Sequence, residues 1–224
     1  MQMHWVNFAP ITGEAAAFYN VSTLKIGFLS MSFMIVYIFV CIPASYVIDT
    51  FGIRIGIDAL LTGIFGFTKG IYAHSYSMIC LSQIGLAVAQ PFLLNAVTKV
   101  GAKWFPMDER ATAAGLAALS QYIGIIVAMV LTPYLFKAYS MEYMLMTYGI
   151  LSVFSAVIFL VLMREMPPTP PSHVTEEERF KVFDGVKHLL RQRDMIILLF
   201  LFFIGLGMFN GYHIDREDIG AQGA

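Results

Sequence analysis

The stretch YVIDTFGIRIG, residues 46–56, sets an acid, a glycine and a base at fixed spacing: Asp49, Gly52 and Arg54. Glycine permits the tight reversal that a short turn between two helices needs. A carboxylate beside it can cap a helix N-terminus or pair with a cation, and such contacts can be made and broken when two bundles rock. An ordinary polar turn uses the same residues, so both readings stand. Gln83 and Gln90 lie seven positions apart and would share one face of a helix. A neutral amide can meet a hydroxyl or a carbonyl without carrying charge into an apolar medium, and it can equally tie two helices together. Trp5 offers an indole face that can hold an organic ammonium by cation–π attraction. Tryptophan also anchors membrane interfaces, so this residue too has two readings. Asn7 and Phe8 beside Trp5, with Gln121 and Tyr122 further on, are lesser candidates that helix packing explains equally well.

The elements that must position these groups follow from composition. The chain has 224 residues, 58% hydrophobic and 13% charged, with a mean hydropathy of +0.71. Soluble domains carry about 25% charged residues, and this chain lacks the polar side chains to cover a water-facing surface. It reads as an all-α protein of the lipid bilayer. A net charge of −1 gives no footing for nucleic acid. Cys41 and Cys80 fall inside apolar runs and read as small buried hydrophobes, not as a disulfide or metal pair. The opening MQMHWVNFAP lacks the basic and apolar regions of a secretory signal.

A helix needs about 20 apolar residues to cross roughly 30 Å of hydrocarbon. Spans are expected at Ile26–Ile48, Ile55–Tyr72, Met78–Val100, Ala111–Phe136 and Tyr143–Met163, with a loop at Ala73–Ser77. Residues 1–19 read as the end of a further span, which completes a bundle over 1–163. A span at Met195–Ile214 and a short tail, 215–224, follow. Of the 14 lysines and arginines, Lys25, Lys69, Lys137 and Arg216 fall on one side and the rest on the other. That bias places the DTFGIR turn and the long loop in the cytosol and the chain in the cell membrane, as a multi-pass protein. Within the loop, residues 164–194, PPTPP makes a stiff extended linker. Thr175 and Glu178 resemble a capping box, and Phe180, Phe183, Val186 and Leu190 recur at helical spacing. An amphipathic helix along the membrane face or a solvated linker helix fits that pattern.

The pattern Asp-x-x-Gly-x-Arg between two spans resembles the loop signature of the major facilitator superfamily, G-x-x-x-D-R-x-G-R-R. Asp49, Gly52 and Arg54 match it, whereas Ser45, Thr50 and Ile53 depart from it. KWFPMDERATAAGLAALSQYIG, residues 103–124, is similar to the run that enters the fifth span of many facilitators. QMHW, FYNVS, PASYVIDTFGIR, LSQIGLAVAQPF and KWF, in that order between Gln2 and about Leu135, resemble the feline leukaemia virus subgroup C receptor family, whose eukaryotic members carry choline and ethanolamine.

The resemblance implies two six-helix halves of inverted three-helix repeats. The chain would then cover the N-terminal half with a partial first span, the central loop and the seventh span, with the C-terminal six-helix half missing. It implies transport of a small polar solute by alternating access, secondary active or facilitative. It also implies substrate contacts at Trp5 and Gln90, matched glutamines at Gln83 and Gln90, and a basic partner for Asp49 at Lys99, with Glu109 and Arg110 extending a cytosolic gate of Asp49, Gly52, Arg54, Lys99 and Arg110. Where choline carriers place an aromatic residue, Asn210 stands here with Phe209 and Tyr212 nearby, which weakens choline as the solute and leaves a cationic solute open. Glu14 and Asp58 are the acids within spans, candidates for proton coupling or for gating ion pairs. The other readings are a non-transporting membrane scaffold or receptor, or an inactive half-transporter. An enzyme is not expected, since H-E-x-x-H and G-x-S-x-G do not occur and His4, His74, His173, His188 and His213 are scattered. No cofactor or metal is expected.

Overall fold

The computed structural model describes residues 1–52, 56–164 and 191–205. They divide into two units, Met1–Thr175 and Glu176–Ala224. In the first, α1 (Gln2–Val6), a 3-10 turn (Ala9–Ile11) and α2 (Thr12–Tyr19) precede five longer helices. These are α3 (Thr23–Phe51), α4 (Ile57–Ile71), α5 (Tyr76–Trp104), α6 (Arg110–Ala138) and α7 (Met141–Leu162). The second unit carries a helix over 193–205. The expected span 195–214 runs past the described residues. Arg54, the amphipathic pattern after Pro171, and the segment around Asn210 also lie outside them.

Among the described residues, α3, α5, α6 and α7 are long and apolar enough to cross a membrane. Their outward faces carry Phe39, Leu116, Val130 and Val161, all largely exposed. Such a surface is stable against lipid and not against water. Pro43, Pro91 and Pro133 lie inside α3, α5 and α6. Each removes one intrahelical donor, which neighbouring helices can make good. Beside Pro43 the Asn95 side chain on α5 donates to the Cys41 carbonyl at 3.3 Å. Ser75 and Ser140 cap α5 and α7 by accepting from the backbone of Met78 and Tyr143.

Residues 1–19 are not one continuous helix end. Pro10 has no N–H to offer the Val6 carbonyl, so α1 stops at Val6 and the chain restarts through the 3-10 turn. Thr12 steadies the restart by donating to the carbonyls of Phe8 and Ala9. Within the bundle α4 packs along α7 and α5, α3 packs along α5, and α1 reaches α6. Small residues make the α4–α7 seam. A Cβ on Gly70 would lie 2.9 Å from the Met146 Cα, and one on Gly63 would lie 3.1 Å from the Ala156 Cβ. Backbones approach this closely only where side chains are absent or minimal.

Candidate functional site

Three polar arrangements stand out, at the turn after α3, along α5, and inside the bundle. At the turn the α3 C-terminus ends on Gly52, whose φ of 87° favours glycine. The Lys99 ammonium on α5 donates to Asp49 Oδ1 at 3.1 Å and to the Ile48 carbonyl at 2.6 Å. It is therefore held by a charge and by a helix C-terminus at once. Asp49 is 65% exposed at its side chain and Lys99 19%, so water screens the pair from one side. Arg110 does not join them: it donates to the carbonyls of Ala102 and Phe105 and closes the end of α5. Glu109 stands at the N-cap of α6.

Along α5 the two glutamines have different surroundings. Gln83 is fully buried and both ends of its amide are occupied. Its oxygen accepts from Lys69 at 2.5 Å and its nitrogen donates to the His4 carbonyl at 3.2 Å. Gln90, two turns further on, is half-buried, and its side chain has no hydrogen-bond partner among the described residues. Trp5 is also half-buried. Its indole N–H donates to the Ser30 carbonyl on α3 at 3.1 Å, and the Ser30 hydroxyl returns a bond to the Trp5 carbonyl. The ring packs with Phe33 and Leu86. Gln121 on α6 accepts from Gln2 at 2.6 Å, and Tyr122 is 56% exposed.

Inside the bundle lies a polar cluster that sequence reading missed. Lys69 belongs to the last turn of α4, with no exposed surface. It was counted among the cations of the outer side, at the end of the expected span 55–72; the rotation of α4 instead sets Lys69 on the inward stripe with Gly66 and Gly70. Its ammonium donates to Asn7 Oδ1 at 3.1 Å and to Gln83 Oε1, and it stands 4.6 Å from the centre of the Phe8 ring. No carboxylate pairs with it among the described residues. Next to it the buried His4 ring meets the Ser152 hydroxyl on α7 at 2.5 Å. Ser152 spends its own proton on the Tyr148 carbonyl, so the shared proton sits on His4 Nε2 and Nδ1 is left bare. Tyr148 in turn shares a 2.6 Å hydrogen bond with Thr132 on α6. Gly66 makes room for this: a Cβ there would lie 2.8 Å from Ser152 Oγ and 3.1 Å from His4 Nε2. A lysine placed between glycines inside a span, in its last turn, was the signal available.

The intramembrane acids behave differently from each other. Glu14 is exposed on α2, whereas Asp58 is buried in the first turn of α4, a favourable place for a carboxylate. Neither forms an ion pair among the described residues. No group of His, Cys, Asp and Glu able to hold a metal occurs among the described residues.

An apolar exterior around a polar interior, built from helices of membrane-crossing length, fits a multi-pass membrane protein. The Major Facilitator Superfamily profile matches residues 1–214, and the chain belongs to that superfamily. It is 31% identical to solute carrier family 49 member A3 of Danio rerio, over 97% of this chain and 48% of the relative. It is 26% identical to the choline/ethanolamine transporter FLVCR1 of Felis catus, over 92% of this chain and 40% of the relative. It is 22% identical to the choline/ethanolamine transporter FLVCR2 of Homo sapiens, over 92% and 42%. The chain thus spans about half the length of the curated relatives it matches.

Proposed function

We propose that this chain forms the N-terminal half of a secondary transporter that moves a small polar solute across the cell membrane by alternating access. Trp5 and Gln90 contact the solute, and Asp49 with Lys99 form the cytosolic latch. The observation that carries the reading is Gln90, a half-buried amide without an intramolecular partner. Its helix also bears Lys99, tied to Asp49 at the other end of the same face-to-face packing with α3. A neutral amide suits a solute that must be released as well as held. The indole face of Trp5 suits an organic ammonium, since its N–H is already spent on Ser30 and only the ring is on offer. The names of the relatives point toward amino-alcohol solutes, and a cation remains one class within the small polar solutes this site can take. Gln83 and Asn7 have a different part: their amide oxygens serve Lys69, so they build the bundle rather than meet the solute. Gln121 and Tyr122 lie on α6 beyond this pair and contribute less. The long loop faces the cytosol, and the other six-helix half completes the cavity.

The test separates binding from translocation. Quenching of indole fluorescence by choline, ethanolamine and uncharged polyols measures binding, and uptake into proteoliposomes measures transport. Gln90→Leu should lose binding and uptake together. Asp49→Asn should keep binding and lose uptake. Equal loss of both in Asp49→Asn would count against the latch, and unaltered binding in Gln90→Leu against the site.

A further inference from the structure

We infer that Lys69 is a positioning residue: it clamps the interruption of the first helix and thereby sets the presentation of the Trp5 indole. The inference deepens the transporter reading and rests on it for its consequence in solute binding. Its structural basis stands apart.

The interruption, Asn7 to Pro10, is a weak stretch of backbone, because Pro10 cannot donate to Val6 and a 3-10 turn replaces the regular helix. Lys69 grips it at two consecutive residues. Its ammonium donates to the Asn7 side chain and lies over the Phe8 ring. Through Gln83 it reaches a third point, because the same amide that accepts from Lys69 donates to the His4 carbonyl in α1. The three directions of the ammonium are therefore all spent on the break and its neighbour. Each bond that involves the charged group is about twice as strong as a neutral one in a medium without water. A buried lysine without a carboxylate is costly, and this one has no acid among the described residues. Such a residue sits here to good effect only if it orders something that a cheaper apolar side chain would leave loose.

What it orders is the other face of the same short helix. Asn7 and His4 turn toward α4, α5 and α7 through the bonds above. Trp5 turns toward α3, where Ser30 bonds its indole N–H and its carbonyl. A five-residue helix has little stability of its own. Its orientation rests on its lateral attachments: Gln2–Gln121 toward α6, His4–Ser152 toward α7, Ser30–Trp5 toward α3, and Lys69–Asn7 at its C-terminal end. Lys69–Asn7 is the one that holds the end at the break, two residues from Trp5; its loss frees that end to turn, and the indole plane turns with it.

The chain has two tryptophans. Trp104→Phe leaves Trp5 as the sole indole and strands no partner, since the Trp104 N–H bonds nothing. In that background, Lys69→Met should red-shift Trp5 emission and raise its accessibility to acrylamide. Lys137→Met, on the exposed end of α6, should leave both unchanged. Asn7→Leu should shift Trp5 emission in the same direction as Lys69→Met, and the double variant should add less than the sum of the two, because both remove the Lys69–Asn7 bond. Solute affinity, read by the same indole, should fall about tenfold in Lys69→Met, the scale of one lost charged hydrogen bond. If Lys69→Met fails to fold, Asn7→Leu decides alone. A lowered melting temperature with unmoved Trp5 emission in either folded variant overturns the inference and leaves Lys69 a packing residue. If no solute quenches Trp5 in the parent protein, the transporter reading fails, while the comparison of emission among variants still stands.

Discussion

Gly149 on α7 faces Gly66 on α4 so closely that a Cβ on Gly149 would lie 2.9 Å from the Gly66 carbonyl oxygen and 3.1 Å from the Phe67 Cα. Both neighbours are backbone, so no rotamer change can relieve the overlap. Gly149→Ala should force α4 and α7 apart and destabilise the bundle by about 1–3 kcal/mol. Thermal unfolding in detergent measures this, with Gly115→Ala on α6 as control, since a Cβ there meets nothing.

The two glutamines of α5 should respond oppositely. Gln83→Leu strands Lys69 and the His4 carbonyl in the interior and should cost about 1–3 kcal/mol in unfolding. Gln90→Leu strands nothing among the described residues and should leave the unfolding temperature near that of the parent. A titration with small polar solutes should show the reverse order, with Gln90→Leu the more damaged. Equal melting temperatures would dissolve the distinction between a structural and a solute-facing amide.

Tyr148 and Thr132 give a cycle with a clear sign. Tyr148→Phe or Thr132→Val alone leaves a buried hydroxyl without its partner and should cost roughly 1 kcal/mol. Removal of both hydroxyls should cost less than the sum of the two, because the desolvation penalty goes with the last one. Additive losses would mean that each hydroxyl has another partner.

The Asp49–Lys99 pair is a weak contributor to stability. Asp49→Asn removes a charge from a largely exposed site and leaves Lys99 bound to the Ile48 carbonyl, so unfolding should change by less than about 1 kcal/mol. Uptake should nevertheless fall. Raised ionic strength should depress uptake by the parent and not by the variant, because salt acts on the charged half of the contact alone. Insensitivity of both to salt would remove the pair from the gate.

Much of this bundle was legible in the residues. The expected spans 26–48, 78–100 and 111–136 lie inside the observed α3, α5 and α6, and 143–163 overlaps α7 to within one residue of its end, because long apolar runs admit no other hydrogen-bonded form in lipid. The Asp49–Lys99 contact, observed at 3.1 Å, was expected from the family resemblance and not from spacing alone. Illegible were the relations that depend on helix rotation. Gln83 and Gln90 share a sequence period and not an environment: the first looks into a core that contains Lys69, the second does not. Lys69 itself was counted with the outer-side cations because a cation in the last turn of a span reads as facing the headgroups, whereas the rotation of α4 turns it inside. The break at Asn7 follows from Pro10, yet its partners come from α4 and α5, more than sixty residues away along the chain in the case of Lys69.

The shortness of α4 has a consequence for the surrounding lipid. Fifteen residues make a rod of about 22 Å, well below the roughly 30 Å of a hydrocarbon core. Its outward side carries Leu60, Ile64, Phe67 and Ile71, so an apolar strip of that reduced height is open to acyl chains. A strip this short is met by local thinning of the bilayer, by snorkelling of flanking side chains or by packing against another segment, whereas α3 and α6 need none of these. Bilayer thickness thereby becomes a variable that acts on α4, and through α4 on the seam with α7.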